Sequence, residues 1–374
     1  MNILFDHLIF SWQRYGGISR YLSELAAGLA RRDDCTVAIV AAFHTNEYLR
    51  HADQSYVWGP YFNPQIPGAG QIRRLCQKML LPIQYALNAN ADIVHETYYS
   101  VAPIGRGQFR VLTVHDMIHE LFTDQFRNGA SVIEAKRACV SRADHVICVS
   151  ESTRQDLIRL LDVDPHKTSV VYHGHSLARS ASETSDAISG IKRPYLLYVG
   201  ARAPGYKNFM TFCKAVASSP VLKKEFDIIA FGGGDFLDTE RTVLQKLGLR
   251  EQTHSVSGDD DLLGAYYRCA ALLVYPSLYE GFGIPPLEAM SLDCPVVCSN
   301  TSSIPEVVGE AGVYFDPCSV DSMREAIERV TNSTELRTEL VHKGRERLKM
   351  FSWERCVNET AEIYKAVLGR GSRA

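Results

Sequence analysis

Two glutamates enclose a short glycine-rich stretch in the second half of the chain. Glu280 and Glu288 stand eight positions apart, with Gly281 and Gly283 between them and two prolines at 285–286. Glycine lets the backbone approach a ligand closely, and proline suits the first turn of a helix. Two carboxylates beside such a loop can accept hydrogen bonds from hydroxyl groups. The stretch therefore predicts a binding site for a polyhydroxylated ligand.

Two cations follow the apolar run Tyr195–Val199, a predicted strand. Arg202 and Lys207 flank a Pro-Gly turn just before a predicted helix. Positive charges at the start of a helix oppose its dipole, so we expect them to destabilise the fold unless an anion joins them. A diphosphate suits both, because arginine binds two oxygens through its planar fork and lysine acts as a point charge. Two solvated surface cations are the alternative interpretation.

A second glycine pair lies near the start of the chain. Gly16 and Gly17 separate the predicted strand Met1–Phe5 from a helical pattern that begins at Ile18. Free N–H groups at a helix start, together with the helix dipole, favour an anion. A tight turn without a ligand is the alternative interpretation.

A histidine directly follows the apolar run Arg110–Val114. Ligands of doubly wound sheets bind beyond the carboxyl ends of the strands, so His115 is a candidate catalytic residue. A structural histidine bonded to Asp116 or to a loop backbone is the alternative. Further polar and aromatic residues near the ends of two predicted strands are candidates for a ligand pocket, with core or surface packing as the alternative: His95, Tyr98, Tyr99, Asp116 and His119.

No metal site or resident cofactor is predicted. The ten cysteines include no C-x-x-C pair, so the spacing of a structural zinc site is absent. Two segments, Asp162–Asp164 and Asp259–Asp261, contain the D-x-D pattern that can hold a divalent cation. The first precedes a proline in a loop and the second opens a helix, where acidic residues are favoured in any case.

The elements that position these residues alternate along the chain. Twelve short apolar runs, from Met1–Phe5 to Gly312–Phe315, alternate with helical patterns, six on each side of a Ser- and Ala-rich break. Continuous apolar runs are typical of parallel strands buried on both faces. The sequence therefore predicts an α/β fold with two doubly wound, Rossmann-like domains facing a central cleft. The predicted segments are a first domain at 1–177, a linker at 178–192, a second domain at 193–352 and a helix at 353–374 that crosses back to the first domain.

The composition excludes several classes of protein. With 40 Lys and Arg against 43 Asp and Glu, the net charge of −3 argues against a nucleic-acid binder. No apolar run has membrane-spanning length and no signal peptide precedes the first strand, so we expect a cytoplasmic protein. Arg73, Arg74 and Lys78 beside apolar residues predict either a weak peripheral membrane contact or an ordinary amphipathic helix packed on its sheet.

Taken together, the motifs resemble the signature of retaining glycosyltransferases of family 4, which have the GT-B fold. The two glutamates form an E-x7-E element. Four motifs occur in the order found in the family, and the match covers nearly the whole chain. They are the glycine pair, the Arg202 and Lys207 pair, the E-x7-E element and the stretch Ser303–Gly309. One departure is that the family often has a Gly-Arg-Leu stretch where this chain has Gly-Ala-Arg with Pro204 nearby.

The resemblance implies a role for each motif in binding a nucleotide-sugar donor and an acceptor. Arg202 and Lys207 would hold the donor diphosphate, with Gly16 and Gly17 closing over it. Glu280 would bind sugar hydroxyls and Glu288 the ribose. The resemblance also implies that His115 would lie near the reacting sugar. Contacts to the sugar and the phosphates would come from the backbone amides of Gly281, Phe282, Gly283 and Ile284. The acceptor site would be lined by the pocket candidates His95, Tyr98, Tyr99, Asp116 and His119.

The implied activity is transfer of a hexose to a hydroxyl of a glycan or lipid-linked acceptor. The stretches 15–20 and 114–120 resemble those of bacterial mannosyltransferases of surface-polysaccharide assembly, which favours GDP-mannose, while UDP-glucose or another UDP-hexose stays open. No covalent nucleophile with an adjacent base is evident, so the resemblance implies front-face attack with retention and without a metal ion. Two other classes stay open: an epimerase or phosphorylase-like enzyme on the same fold, and a catalytically silent sugar-nucleotide binder.

Overall fold

The computed structural model describes residues 1–63, 69–175, 191, 193–203 and 205–371. Contacts within the chain divide it into two compact units. Unit 1 consists of Met1–Gly174 with Trp353–Ala374, and unit 2 consists of His175–Ser352. Of the predicted linker 178–192, only Ile191 lies within the described residues, so the boundaries of the linker stay a prediction. No helix of the described residues is long and apolar enough to span a membrane.

Unit 1 is built on one parallel sheet with the strands β1 Asn2–Phe5, β2 Thr36–Val40, β3 Val57–Trp58, β4 Ala91–Glu96, β5 Gly107–Val114, β6 His145–Cys148 and β7 Thr168–Val170. The strand order is β3-β2-β1-β4-β5-β6-β7, so it reverses between β1 and β4. The helices of unit 1 are α1 Leu8–Trp12, α2 Gly17–Ala30, α3 Glu47–Arg50, α4 Ala69–Leu87, α5 Ile118–Leu121, α6 Gly129–Arg142, α7 Glu151–Leu161 and α16 Trp353–Gly371.

Helix α16 completes the core of unit 1. Its buried Tyr364 lies in the same hydrophobic cluster as Phe5 of β1 and Leu25 of α2. A Cβ atom at Gly28 would lie 2.3 Å from a methyl carbon of Val357. The glycine therefore allows α2 and α16 to approach closely, and the end of the chain packs against the helix that follows β1.

Unit 2 contains a second parallel sheet with the strands β8 Tyr195–Val199, β9 Asp227–Phe231, β10 Thr253–Val256, β11 Leu272–Tyr275, β12 Val296–Ser299 and β13 Gly312–Phe315. The order β10-β9-β8-β11-β12-β13 reverses between β8 and β11. The helices are α8 Phe209–Ser218, α9 Pro220–Glu225, α10 Asp238–Leu247, α11 Asp260–Cys269, α12 Ile284–Ser291, α13 Ile304–Val308, α14 Val320–Thr331 and α15 Thr334–Leu348.

Both faces of the second sheet are buried. Along β8, Leu196 and Tyr198 pack in one hydrophobic cluster, whereas Tyr195 and Leu197 pack in another. This explains why the strand is apolar at every position instead of alternating. The predicted α/β class with doubly wound sheets is confirmed for each unit, and all twelve predicted strands are present. Sequence analysis missed β3, a two-residue edge strand that is too short to form a pattern.

Candidate functional site

The two loops at the reversal of strand order in unit 2 lie against each other. The amide of Leu278, after β11, donates to the carbonyl oxygen of Tyr206, after β8, at 2.7 Å. The side-chain amide of Asn208 donates to the carbonyl oxygen of Pro276 at 3.0 Å. Doubly wound sheets bind ligands at such a reversal. The structure thus brings the predicted cation loop and the predicted glutamate loop together at one edge of the sheet.

Lys207 and Glu280 form an ion pair between these loops. The Nζ atom of Lys207 lies 2.7 Å from Oε1 of Glu280, and the Ser277 hydroxyl donates to the same oxygen at 2.6 Å. Both charged side chains are largely buried, so solvent screens their attraction less than on an open surface. The alternative that Lys207 is a solvated surface cation is therefore wrong. An ammonium group has three donors, so Lys207 has capacity for a second acceptor.

Hydroxyl groups after β12 hold the glutamate loop in place. The amide of Glu280 donates to Oγ of Ser302 at 2.9 Å. The Oγ atom of Ser303 lies 2.8 Å from the carbonyl oxygens of both Glu280 and Phe282, on either side of Gly281. Sequence analysis assigned no role to these hydroxyls. The signal for them was a run of Ser and Thr directly after a buried strand.

The glutamate loop ends where α12 begins, at Ile284. Gly283 precedes this helix with a φ of +117°, in the left-handed region that favours glycine. Glu288 lies one turn inside the helix, and its buried Oε2 accepts a hydrogen bond from the hydroxyl of Tyr267 at 3.1 Å. The ring of Phe282 packs edge-on against another aromatic ring of unit 2. The side chain of Phe282 is therefore packed inside unit 2.

Arg202 is placed differently from the prediction. Its side chain is only 2% exposed, and Nε donates to Oε1 of Glu240 at 3.1 Å. Its terminal nitrogens donate to carbonyl oxygens of the loop after β9, at 2.6 Å to Gly232 and 2.8 Å to Gly234. Glu240 is therefore the anion that joins this cation in the structure, and the role of Arg202 toward a diphosphate stays a prediction. Sequence analysis missed the loop after β9, although three successive glycines were a visible signal.

In unit 1, His115 directly follows β5 and is buried beneath the edge of the sheet. Burial lowers the pKa of its imidazole from 6.5 to about 4, so the ring is neutral at pH 7. Its Nε2 atom has no hydrogen-bond partner among the described residues, and Tyr21 contacts the ring edge-on. The alternative of a bond to Asp116 is not supported, because the described residues show no hydrogen bond between the two side chains, and Oδ1 of Asp116 accepts from the amide of Ile118 at 3.1 Å.

A fully buried lysine holds the turn that follows β5. The Nζ atom of Lys136, on α6, donates to Oε2 of Glu120 at 2.7 Å and to the carbonyl oxygen of Asp116 at 2.9 Å. His119 lies in the same turn and packs against Phe126 in a tilted arrangement, with ring centroids 4.5 Å apart. Sequence analysis missed Lys136, which belongs to no motif, and gave no separate role to Glu120, the last residue of the stretch 114–120. The buried ion pair fixes the turn that presents Asp116 and His119.

The aromatic candidates of unit 1 fall into two groups. His95 is fully buried, with Nδ1 bonded to the hydroxyl of Tyr364 and Nε2 lying 2.9 Å from Oγ1 of Thr113. The prediction that His95 lines a ligand pocket is therefore wrong, because both ring nitrogens are used inside the core. Tyr98 and Tyr99 follow β4 with ring centroids 4.7 Å apart, and Tyr98 keeps partial exposure. These two remain candidates.

The glycine pair of unit 1 stands at the start of α2. Gly16 precedes the helix, and Gly17 is its first residue. The amide of Ser19 donates to Oε1 of Gln13 at 3.2 Å, so a neutral side chain already satisfies one donor of the helix start. A Cβ atom at Gly16 would lie 2.5 Å from that oxygen. The pair thus leaves space for Gln13, and its role toward a ligand stays a prediction.

Both D-x-D segments have capping roles. Asp259 accepts from the amide of Leu262 at 3.0 Å at the start of α11, and Asp164 accepts from the amide of His166 at 2.9 Å. Within the described ranges, no group of three or more His, Cys, Asp or Glu side chains could hold a metal ion. One aspartate of each segment is therefore explained by a local backbone hydrogen bond.

Two models of glycosyltransferase families match the chain. Residues 15–179 match Glycosyltransferase Family 4, and residues 182–347 match Glycosyl transferases group 1. The matched regions follow each other and leave out only short segments at the two ends and between them. The chain therefore belongs to the family 4 glycosyltransferases, and the resemblance found in its motifs is confirmed.

Known relatives carry several transferase activities. The O-antigen chain mannosyltransferase B of Escherichia coli is 33% identical over 229 residues, which cover 59% of this chain and 60% of that protein. The chain thus matches less than two thirds of the length of that relative. The alpha-maltose-1-phosphate synthase of Mycolicibacterium smegmatis is 27% identical and covers 94% of this chain and 96% of that protein.

The fold is shared with solved structures of low sequence identity. The sucrose-phosphate synthase of Thermosynechococcus elongatus superimposes with a TM-score of 0.77 over 99% of both chains, at 21% identity. This likeness concerns the fold alone, and it confirms the predicted GT-B class.

Proposed function

We propose that this chain is a retaining, metal-independent hexosyltransferase that uses a nucleotide sugar, with GDP-mannose as the favoured donor. The observation that carries the proposal is the Lys207–Glu280 ion pair at the reversal of strand order in unit 2. It places a cation and a carboxylate side by side where doubly wound sheets bind ligands. A nucleotide sugar requires both, because its diphosphate is anionic and its sugar carries hydroxyl groups.

Unit 2 binds the donor in this proposal. Lys207 donates to the diphosphate with the hydrogens that Glu280 does not use, and Glu280 accepts from a hydroxyl of the sugar. The amides between Gly281 and Ile284 face the sugar and phosphates. Glu288, further along α12, binds the ribose. The buried hydroxyls of the β12 loop keep this arrangement ordered before the donor arrives, which lowers the entropic cost of binding.

The chemical step requires no protein nucleophile. The bond from the anomeric carbon to the diphosphate oxygen breaks while the acceptor oxygen bonds to the same face of that carbon. The acceptor proton passes to the departing diphosphate. Lys207 stabilises the negative charge that grows on the leaving group, which is the kind of electrostatic contribution that dominates many enzymes.

Unit 1 contributes groups to the acceptor side. The neutral ring of His115 can exchange one hydrogen bond with a substrate hydroxyl through Nε2. Asp116 and His119, in the turn held by Lys136, and the tyrosine pair Tyr98 and Tyr99 are the proposed acceptor contacts. The glycine pair at the start of α2 is the proposed second diphosphate contact.

The donor is tested with a panel of nucleotide sugars. Similarity to a mannosyltransferase of O-antigen chains favours GDP-mannose, whereas the nearly full-length similarity to a maltose-1-phosphate synthase keeps a glucosyl donor as the second candidate. Binding raises the melting temperature by an amount that grows with the logarithm of the ligand concentration divided by Kd. We expect the largest shift with GDP-mannose and transfer to an added acceptor. Conversion of the donor without any acceptor would indicate an epimerase, and binding without turnover would indicate a silent binder.

A peripheral membrane contact through α4 is part of the proposal. Leu81 and Tyr85 pack this helix against the sheet of unit 1. On the opposite side Met79, Ile83 and Leu87, four residues apart, are 67%, 59% and 70% exposed. A helix that is apolar on both sides is expected to be covered on both. The cover in this proposal is a lipid bilayer.

Charge complementarity favours an anionic bilayer. From Gln54 to Ala91 the chain contains no Asp or Glu, while α4 carries Arg73, Arg74 and Lys78. Such a helix lies in the interface of anionic lipids.

Vesicle flotation tests this contact. We expect the protein to bind phosphatidylglycerol vesicles and not phosphatidylcholine vesicles. In Ile83→Asp we expect the affinity for phosphatidylglycerol vesicles to fall at least about 5-fold. Val221→Asp, at an exposed apolar position of unit 2, is the matched control. A different result would be that the wild-type protein binds no vesicles but self-associates, and that Ile83→Asp abolishes the self-association. A second copy of the chain would then cover the exposed apolar side of α4.

A further inference from the structure

Lys136 of α6 is a fully buried cation whose ammonium group is enclosed by one turn of the chain. Its side chain is not exposed to solvent, and that of Glu120 is only 5% exposed. The Nζ atom donates to Oε2 of Glu120 and to the carbonyl oxygen of Asp116, and it lies 3.8 Å from Sδ of Met117. All three partners belong to the turn after β5. The cation therefore binds both ends of that turn.

The same ammonium group also contacts the loop after β4. Its Nζ atom lies 5.1 Å from the centroid of the Tyr99 ring, within the range of a cation–π interaction. Tyr99 in turn packs against Tyr98, with ring centroids 4.7 Å apart. Because β4 and β5 are parallel neighbours, the loop and the turn leave the sheet side by side. Lys136 thus lies between the two groups of proposed acceptor contacts.

The bonds from Lys136 differ in range from a bond within the turn. The amide of Ile118 donates to Oδ1 of Asp116, only two positions away, and such a bond sets the shape of the turn. The bonds from Lys136 span 16 and 20 positions of sequence. They set where the turn lies relative to α6, and the contact with Tyr99 relates both to the loop after β4.

A buried ion pair is an inefficient way to stabilise this region. Two charges removed from water lose their hydration, and their mutual attraction often does no more than repay that cost. Apolar side chains of similar volume frequently give an equally stable or more stable protein. Ala135 and Val140 on the same helix are themselves buried, so an apolar chain would suit the position of Lys136. Such a chain could not bond a carbonyl oxygen and a ring face at once.

We propose that Lys136 and Glu120 are positioning residues, which hold the turn after β5 and the tyrosine pair in the arrangement that binds the acceptor. The inference rests on the proposed function, since it presumes that Asp116, His119 and the tyrosine pair contact the acceptor. The ion pair contributes little to the stability of unit 1 and much to the alignment of the acceptor. A small displacement of a bound substrate lowers the rate strongly, because the reacting atoms must meet within a narrow range of distance and angle.

Replacement of both charges by apolar chains of the same length separates alignment from stability. The double variant Lys136→Met/Glu120→Met leaves neither charge of the pair buried without its partner, so we expect its melting temperature to equal or exceed that of the wild type. We expect its affinity for GDP or UDP, measured by calorimetry, to stay unchanged. We expect kcat/KM for the acceptor to fall at least about 10-fold. The acceptor probes are the methyl glycosides of mannose, glucose, galactose and N-acetylglucosamine, with GDP-mannose and UDP-glucose as donors.

An exposed ion pair of unit 1 provides the matched control. Lys365 and Glu362 on α16 form such a pair, with side chains 45% and 69% exposed. The same two substitutions there, Lys365→Met/Glu362→Met, are expected to leave transfer and nucleotide affinity unchanged.

Glu120→Gln is the single variant for comparison. Its amide oxygen can still accept from Nζ, so the arrangement of the turn is largely kept, but the charge of Lys136 stays buried without its carboxylate. We expect this variant to melt at a lower temperature than the double variant and yet to lose less transfer. Stability and transfer would then change in opposite order, which a merely structural ion pair does not predict.

A wild-type kcat/KM in the folded double variant would overturn the positioning role. A clear fall in its melting temperature, or an equal loss of nucleotide affinity, would also overturn it, because the ion pair would then support the fold in general. Greater loss of transfer in Glu120→Gln than in the double variant would do the same. A wild-type protein that binds neither GDP nor UDP, or that transfers to none of the probes, would contradict the proposed function itself.

Discussion

The Nζ atom of Lys207 lies 2.7 Å from Oε1 of Glu280 and joins the loops after β8 and β11. The contact balances two charges in the free protein and orders both side chains relative to each other. A donor that binds here meets a cation and a carboxylate that need little further ordering. In the proposed function its diphosphate also competes with Glu280 for Lys207, so binding would shift part of the lysine's interaction from the carboxylate to the phosphates.

Replacement of this lysine tests its role on the leaving group. We expect Lys207→Ala to lower kcat by about 10²–10³-fold, an effect of roughly 2–4 kcal/mol by analogy with lost donors to a developing anion. Lys214→Ala removes an exposed cation from the neighbouring helix α8 and is expected to keep wild-type rates. Steady-state kinetics of both variants give the answer. Equal activity in the two would mean that the phosphates bind elsewhere.

Sequence reasoning was accurate where local pattern and position determine structure. Continuous apolar runs predicted the strands, and the rule that ligands bind beyond the carboxyl ends of parallel strands directed attention to the loops that follow them. It missed partners that are distant in sequence. Arg202 and Glu240 stand 38 positions apart, and His95 meets Tyr364 across 269 positions. A motif identifies a charged group or an imidazole and the contacts it is able to make. It does not identify the residue, distant in sequence, that already forms those contacts in the folded protein.

We predict that transfer does not depend on a metal ion. Both D-x-D segments cap local backbone in the structure, and Lys207 supplies positive charge where a metal ion would otherwise be needed. We expect transfer to continue at an unchanged rate in excess EDTA, measured with the donor that the panel identifies. Loss of activity that manganese or magnesium restores would contradict this prediction.

Buried histidines predict that unit 1 is sensitive to acid. Burial lowers the pKa of the imidazole from 6.5 in five of them, to about 3 in His95, to about 4 in His44, His115 and His145, and well below the ordinary value in His173. Between these values and pH 6.5 the unfolded chain binds more protons than the folded one. Stability therefore falls as the pH decreases from about 6.5 toward 4.

The size of the effect follows from linkage. Each such histidine contributes up to about 1.4 kcal/mol per pH unit. Asp6 has the opposite effect on the pH dependence of stability, because burial raises the pKa of its carboxyl to about 6. Below that pH the folded chain keeps a proton on Asp6 that the unfolded chain has released. All three tryptophans, Trp12, Trp58 and Trp353, belong to unit 1, so their fluorescence reports its melting. We expect a marked fall in melting temperature from pH 7 to pH 5, and a constant value would contradict the burial of these rings.

The two glutamates of the E-x7-E element are predicted to act at different stages. In the proposed function Glu280 contacts the sugar beside the breaking bond, so Glu280→Gln is expected to lower kcat by about 10²-fold or more. Affinity for the nucleoside diphosphate is expected to stay the same or to increase, because Lys207 loses its competing carboxylate. In the same proposal Glu288 binds the ribose equally in the ground and transition states. Glu288→Gln is therefore expected to raise the donor KM about 10-fold with little change in kcat.

Steady-state kinetics of the two variants, combined with calorimetry of the nucleoside diphosphate, test the central claim most directly. The account predicts that Glu280→Gln loses turnover while keeping nucleotide affinity, and that Glu288→Gln keeps turnover while losing affinity. A Glu280→Gln variant that turns over at the wild-type rate, or that loses nucleotide binding while Glu288→Gln loses only kcat, would contradict it.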